Sequence, residues 1–295
     1  MINRYLGFYS EARQQYRQAL AWCEKSRGSS SPEYANSLHN LAVLDYLEGR
    51  LDEAAQQFRR ALKIRETTLG ESHPATAQTL NSLSAVYAGQ GRYVEAERLC
   101  RRALAIQEKG LGAEHPQVSA TLDNLSSIYR RRGQLETALD LSRRAEQIAR
   151  KAFGDQHPLT CLRANKLAVL YVNLGRLPEA DALLRRVLEI QLQGLGEDSP
   201  DVAATMANLA IVSFRRELPV EAEALYRRAM LILERSRSND QKLVTVLSNY
   251  AWLLRQTGRR GEAKKLEARA RAIAMTHRSD WGHYTVDVSD LLPSH

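Results

Sequence analysis

The chain repeats itself with a period of 42 residues, and this period constrains the fold more than any other feature. Glycines recur at this step at Gly7, Gly49, Gly91, Gly133 and Gly175. A serine or histidine followed by proline recurs at the same step, from Ser31-Pro32 to Ser199-Pro200, and an alanine recurs from Ala12 to Ala222. Such self-similarity indicates a repeat architecture in which each unit buries its apolar face against its neighbours. A chain of 295 residues therefore does not need a single large core.

Each repeat contains two apolar segments with helical spacing. In the first full repeat, Leu38, Leu41 and Ala42 stand at i, i+3 and i+4, and a second segment follows from Leu51. Glycine interrupts the chain between the two segments, and proline opens the next helix at its first turn, where a missing N–H costs nothing. The recurring alanines fall where helix axes about 8–10 Å apart admit only small side chains. We therefore predict two antiparallel helices in each repeat.

Residues 38–74 read LHNLAVLDYLEGRLDEAAQQFRRALKIRETTLGESHP. This unit resembles the tetratricopeptide repeats (TPR) of kinesin light chains and their bacterial relatives, and the resemblance covers residues 30–238. It implies an all-α fold, a right-handed TPR solenoid of antiparallel helix pairs. We expect about six full repeats plus a partial N-terminal one.

The period also divides the chain into parts. We expect a partial N-terminal repeat or capping helix over 1–28 and five kinesin light chain-like units over 32–238. A divergent C-terminal capping repeat over 239–276 and a non-repeat tail over 277–295 follow. Glu217 stands where the period calls for glycine, which predicts either a strained turn or a different type of turn.

Composition limits the classes of protein to which the chain can belong. Three cysteines lie far apart, which argues against a disulfide framework and favours a reducing compartment. No apolar run approaches the roughly 18 residues of a membrane span, and the N-terminus has no signal-peptide pattern. We expect a cytoplasmic protein without membrane insertion. The net charge of +8 permits acidic partners.

No catalytic motif is found, and we predict neither enzymatic activity nor a metal or cofactor. The histidines before Pro74, Pro116 and Pro158 lie one repeat apart, too far for a shared metal, and are interpreted as turn residues. Cys100 is predicted to be a core residue. Arginine pairs, such as Arg101 and Arg102, could form a nucleic-acid surface, but they lack interleaved aromatic residues. We favour a solvated, ion-paired helix face, so nucleic acid is an unlikely partner.

The resemblance implies that the first helices line a concave groove. Recurring positions that would face it hold Asn40, Ser82, Asn124, Lys166, Asn208 and Asn249. A carboxamide can bond a peptide backbone of any sequence. The other predicted groove residues are Asn81, Arg130, Arg131, Asn165, Phe214, Arg215, Trp252 and Arg255, with Val169 and Ile211 as further apolar pocket residues. We predict a scaffold that binds an extended protein or peptide segment with acidic and aromatic or leucine residues.

Alternatives remain at this point. The side-chain amides could form hydrogen bonds with neighbouring loops instead of with a ligand. The chain could be the regulatory TPR portion of a larger sensor or effector protein, or a nucleic-acid-binding solenoid. The tail over 279–295 contains Asp280, Trp281, Asp287, Asp290 and Leu291, chemistry that suits the predicted groove. A further hypothesis is therefore that this tail docks on its own solenoid or on that of a neighbouring molecule; the alternatives are that it covers the last helix or is simply disordered.

Overall fold

The structure is a computed structural model that describes residues 9–236 and 240–276. The described residues form helices joined by short turns, in two compact units that divide after Gln134. Unit 1 contains α1 (Tyr9–Ser26), α2 (Pro32–Leu47), α3 (Leu51–Leu69), α4 (Pro74–Gly89), α5 (Tyr93–Leu111) and α6 (Pro116–Arg131). Unit 2 contains α7 (Leu135–Phe153), α8 (Pro158–Asn173), α9 (Leu177–Leu195), α10 (Pro200–Arg215), α11 (Pro219–Ser236), α12 (Asp240–Gln256) and α13 (Arg260–Thr276).

Helices α2, α4, α6, α8 and α10 each start with a proline that follows a capping side chain. The Nδ1 atoms of His73, His115 and His157 accept hydrogen bonds from the backbone N–H two residues later, at 3.1, 3.2 and 3.2 Å. Ser31 and Ser199 also cap their helices with Oγ, which accepts from the backbone N–H of Tyr34, three residues later, and of Asp201, two residues later. The prediction that the histidines are turn residues is therefore confirmed. Among the described residues, no group of three or more His, Cys, Asp or Glu side chains could hold a metal ion.

The turn between the two helices of a repeat requires a left-handed residue. Gly49 and Gly175 supply it with φ of 75° and 73°. Glu217 adopts the same conformation with φ of 62°, and no other described non-glycine residue has a positive φ. For an L-residue with a side chain, this conformation costs about 1–2 kcal/mol. The strained turn predicted at Glu217 is present.

Small residues allow the helices of each repeat to approach closely. Five alanines of the 42-residue column have an exposed fraction of 0%, namely Ala54, Ala96, Ala138, Ala180 and Ala222, and the sixth, Ala12, is 5% exposed. Ala42, on the first helix of its repeat, is also 0% exposed. Within unit 2, the first helices of successive repeats also contact one another, α8 with α10 and α10 with α12. These three helices together form a continuous surface, here called the first-helix face of unit 2.

The second helices carry ion pairs on their exposed side. Arg101 contacts Glu97, Arg185 contacts Asp181 and Arg227 contacts Glu223, each one helical turn apart. This agrees with the prediction of a solvated, ion-paired face for the arginine pairs. All three cysteines are buried and free of disulfides. None of the described helices is long and apolar enough to cross a bilayer.

Candidate functional site

A pocket of about 240 Å³ opens on the first-helix face of unit 2. The N-terminal halves of α8, α10 and α12 form its walls, and Gln191 near the end of α9 also lines it. Because these helices begin at the same end of the unit, the pocket lies at that end of the face. The site is therefore formed entirely by elements of unit 2.

One wall of the pocket is apolar. Leu159 and Leu162 of α8 line it and are 40% and 38% exposed. Ala204 and Ala207 of α10 and Val246 of α12 complete the apolar surface. Large apolar side chains that stay this exposed beside a concavity are typical of surfaces that bind another molecule.

The polar part of the pocket is an ordered chain of hydrogen bonds. Asn208 Nδ2 donates to Asn165 Oδ1 at 3.1 Å. Asn165 Nδ2 donates in turn to Thr205 Oγ1 at 3.0 Å and to the carbonyl oxygen of Cys161 at 3.1 Å. Thr205 Oγ1 donates to Gln191 Oε1 at 2.6 Å. These contacts fix the direction in which each carboxamide presents its donor and acceptor atoms.

Two lysines and one aspartate give the pocket a net positive charge. Lys242 Nζ forms an ion pair with Asp201 Oδ1 at 2.6 Å. Lys166 of α8 also lines the pocket and is half-buried. An anionic group that approaches the pocket therefore meets a favourable potential.

The structure corrects the predicted surroundings of this site. Val169 and Ile211 were expected to form apolar pockets, but they are 4% and 2% exposed and belong to the hydrophobic core. They are buried because adjacent first helices pack directly against each other. Asn249 was expected to be an exposed groove residue, but it is 1% exposed and contributes only to the pocket wall.

Other predicted residues of unit 2 lie at the opposite ends of α10 and α12. Arg215 donates to the carbonyl oxygen of Val172 at 2.9 Å, and burial lowers the pKa of its guanidinium. Arg255 forms two hydrogen bonds with Glu267 of α13 at 2.6 and 2.7 Å. The rings of Phe214 and Trp252 meet edge to face with centroids 5.1 Å apart. The structure therefore separates these four residues from the pocket.

Unit 1 contains a matching amide pair on its own first helices. Asn124 Nδ2 donates to Asn81 Oδ1 at 3.1 Å, and Thr121 Oγ1 donates to Gln107 Oε1 at 2.6 Å. The buried Cys100 thiol also contacts Asn81 Oδ1, and burial raises the pKa of this thiol to about 12.

The apolar wall, however, has no counterpart in unit 1. Ala75 and Gln78 stand at the positions of Leu159 and Leu162, and Ser82 stands at that of Lys166. Asn40 is half-buried on α2, and Arg130 and Arg131 lie in the last turn of α6. The two units thus share the amide pair but differ in the side chains that surround it.

Thr205 and Gln191 were not among the predicted site residues. A signal for them exists in the sequence, because Thr121 and Gln107 stand 84 residues earlier, just as Asn81 precedes Asn165. A search at twice the basic period would have found them. The tail over 279–295, for which self-docking was suggested, lies outside the described residues.

Comparison with known proteins identifies the repeat. A family model for the tetratricopeptide repeat matches residues 1–67, 47–109, 75–151, 124–193, 160–217 and 201–276. Crystallised TPR-like repeats attributed to a kinesin light chain of Podosopora anserina are 28% identical, with a TM-score of 0.61, over 70% of this chain and 98% of that one. No curated protein matches the chain.

Two more distant structures share the fold alone. BtubC (BKLC) from P. vanneervenii is 18% identical, with a TM-score of 0.58, over 82% of this chain and 93% of that one. The apo form of the quorum sensor NprR from B. thuringiensis is 14% identical, with a TM-score of 0.60, over 92% of this chain and 87% of that one.

Proposed function

The chain belongs to the tetratricopeptide repeat family, and on that premise we propose that it is a non-catalytic scaffold that binds an extended peptide on the first-helix face of unit 2. The observation that carries the proposal is the half-open pocket in which an ordered amide chain lies beside an exposed leucine wall. We further propose that it acts in the cytoplasm, since buried free thiols persist in a reducing compartment.

The amides suit a peptide backbone as ligand. A carboxamide has two N–H donors and two acceptor lone pairs, and the bond to Asn165 uses one N–H of Asn208. An extended peptide exposes unpaired N–H and C=O groups, so it can bond such an amide whatever its side chains are. Because the amides are already held in place, little ordering entropy is lost when a peptide binds.

The surroundings of the amides favour an acidic and apolar sequence. Leu159 and Leu162 offer a surface for a leucine or an aromatic ring. The net positive charge of Lys166 and Lys242 beside Asp201 attracts a carboxylate, and a lysine ammonium tolerates different positions of the anion. We therefore propose a ligand in which an aspartate or glutamate neighbours a leucine or aromatic residue.

The proposal is tested by selecting peptides from a random display library with the whole chain. We expect the selected sequences to combine acidic and large apolar residues. Their affinity should fall about fivefold or more in Asn208→Ala, because the lost contact is worth about 1 kcal/mol. Fluorescence anisotropy of one labelled selected peptide measures the change.

Asn124→Ala is the matched control, because it breaks the same kind of amide pair in unit 1. It should lower stability as much as Asn208→Ala does but leave peptide affinity unchanged. Failure to select any binding peptide would overturn the proposed function. Equal affinity of Asn208→Ala and the parent chain would exclude the site in unit 2.

A further inference from the structure

We infer that the pocket in unit 2 binds the chain's own C-terminal segment, residues 286–292 (VDVSDLL), in competition with outside peptides. The inference rests on the proposed function, because it names one ligand of the same site. It is carried by the position of the pocket relative to the end of α13, by the unusual leucines in its wall and by its charge.

The pocket lies at the end of unit 2 from which the C-terminal segment departs. It is formed by the N-terminal halves of α8, α10 and α12. Helix α13 follows α12 after a tight turn at Gly258, so α13 runs back and ends beside the start of α12. The chain therefore leaves Thr276 at the same end of the unit as the pocket.

The segment is also long enough. Leu291 follows Thr276 by a stretch of chain that spans up to about 45–50 Å when extended, at roughly 3.3 Å per residue. The first helices lie about 8–10 Å apart, so crossing from α12 to α8 requires roughly 20 Å. Residues 286–292 can thus reach the pocket of their own chain with length to spare.

The two wall leucines depart from the rest of the repeat array. At the position of Leu159, the other repeats have small or polar residues, and the same holds for Leu162. The equivalents are Glu33, Ala75, Gln117 and Asp201 for the first column, and Asn36, Gln78, Ala120 and Ala204 for the second. Neither leucine is needed to build a repeat, and both are partly exposed. Their presence indicates that an apolar partner covers them.

The segment 286–292 supplies the matching chemistry. Leu291 and Leu292 fit the leucine wall, and Asp287 and Asp290 complement Lys166 and Lys242. In an extended peptide, neighbouring side chains point to opposite sides. Asp290 can therefore face a lysine while Leu291 faces the apolar wall. A tethered segment competes at an effective concentration of the order of millimolar, so it weakens the binding of outside peptides.

The test uses a fluorescent peptide with the sequence of residues 284–293 and the full-length chain. The double variant Leu291→Asp and Leu292→Asp should bind this peptide about tenfold more tightly than the parent, because its own segment no longer competes. Ser294→Asp, outside the segment, is the control and should bind like the parent.

Exchanging the charges of the pocket lysine and the peptide aspartates tests, in the same assay, whether these groups pair with each other. Lys166→Glu in the double-variant background should lose the peptide, and a peptide with lysines in place of Asp287 and Asp290 should restore binding. Circular dichroism verifies that Lys166→Glu is folded. A merely nonspecific apolar contact would not respond to the exchange, and that result would overturn the inference.

The remaining outcomes separate the two proposals. If peptides selected from a library bind but peptide 284–293 does not, the inference is wrong and the proposed function stands. If peptide 284–293 binds the parent and the double variant equally, docking within the chain is excluded. If no peptide of either kind binds, both proposals fail.

Discussion

Tyr226 brings one polar atom, its hydroxyl oxygen, into the buried interior of its repeat. The same column of the repeat holds Phe58, Cys100, Ser142 and Leu184. Tyr226 is 0% exposed, and its ring stacks on that of Tyr250 with centroids 5.7 Å apart. Its hydroxyl finds no hydrogen-bond partner among the described residues, and burial raises its pKa far above the usual range. The ring packs well at this position, but the hydroxyl adds no hydrogen bond that would stabilise the fold.

Tyr226→Phe should therefore raise the free energy of unfolding by about 1 kcal/mol, since it removes a buried polar group that has lost its bonds to water. Chemical denaturation followed by circular dichroism measures the change. Tyr250→Phe is the matched control and should destabilise, because Tyr250 Oη donates to Glu223 at 2.9 Å and accepts from Arg227 at 3.0 Å. A loss of stability in Tyr226→Phe would contradict this interpretation.

At the scale of the element, each first helix is delimited by local chemistry. A capping side chain, a proline at the first turn and a left-handed residue after the last turn recur in nearly every repeat. These signals act over a few residues and do not depend on the rest of the chain. The starts of α4, α6 and α8 were therefore predictable at Pro74, Pro116 and Pro158.

The capping role of the histidines can be measured at α6. His115→Ala removes the acceptor for the Gln117 N–H and should lower the free energy of unfolding by about 1 kcal/mol, as for other N-cap losses. His115→Ser should keep the stability of the parent, because Ser31 and Ser199 cap α2 and α10 in the same column. Equal stability of the alanine and serine variants in urea denaturation would exclude a capping contribution.

At the scale of the whole molecule, stability is distributed along the chain. Within each unit, every helix packs against its neighbours in sequence, and the first helices of unit 2 additionally meet one repeat apart. Such an array behaves as a sum of local terms, in which the effect of a substitution fades with distance along the chain. This distinguishes it from a protein with a single core.

Ala180→Leu should show this locality. Ala180 of α9 is 0% exposed, and a larger side chain should cost about 1–3 kcal/mol through overpacking. Hydrogen exchange should then accelerate in α8, α9 and α10, which pack together, and remain near the parent level in α2 and α3. Uniform acceleration along the whole chain would show that it unfolds as a single cooperative body.

The fold was more predictable than the site, for a physical reason. Helix boundaries and the buried alanines follow from signals that repeat in register, so each repeat supports the assignment of the others. Asn124 and Asn208 were predicted to face a groove, but the asparagines that they bond are 43 residues away, one more than the period. That offset of one residue depends on the axial position of each first helix relative to the next one. The same packing buries Val169 and Ile211, which periodicity alone could not reveal.

The amide pairs also determine how this array could be lengthened or shortened. The donor asparagine stands on α6 and α10 and its acceptor on α4 and α8, so donor and acceptor helices alternate. Recombination that inserts or deletes one 42-residue module places two donor helices or two acceptor helices side by side. One side-chain amide then lacks its hydrogen-bond partner. An exchange of 84 residues preserves every pair. For genetic rearrangement and for engineering, the module of this protein is therefore two repeats long.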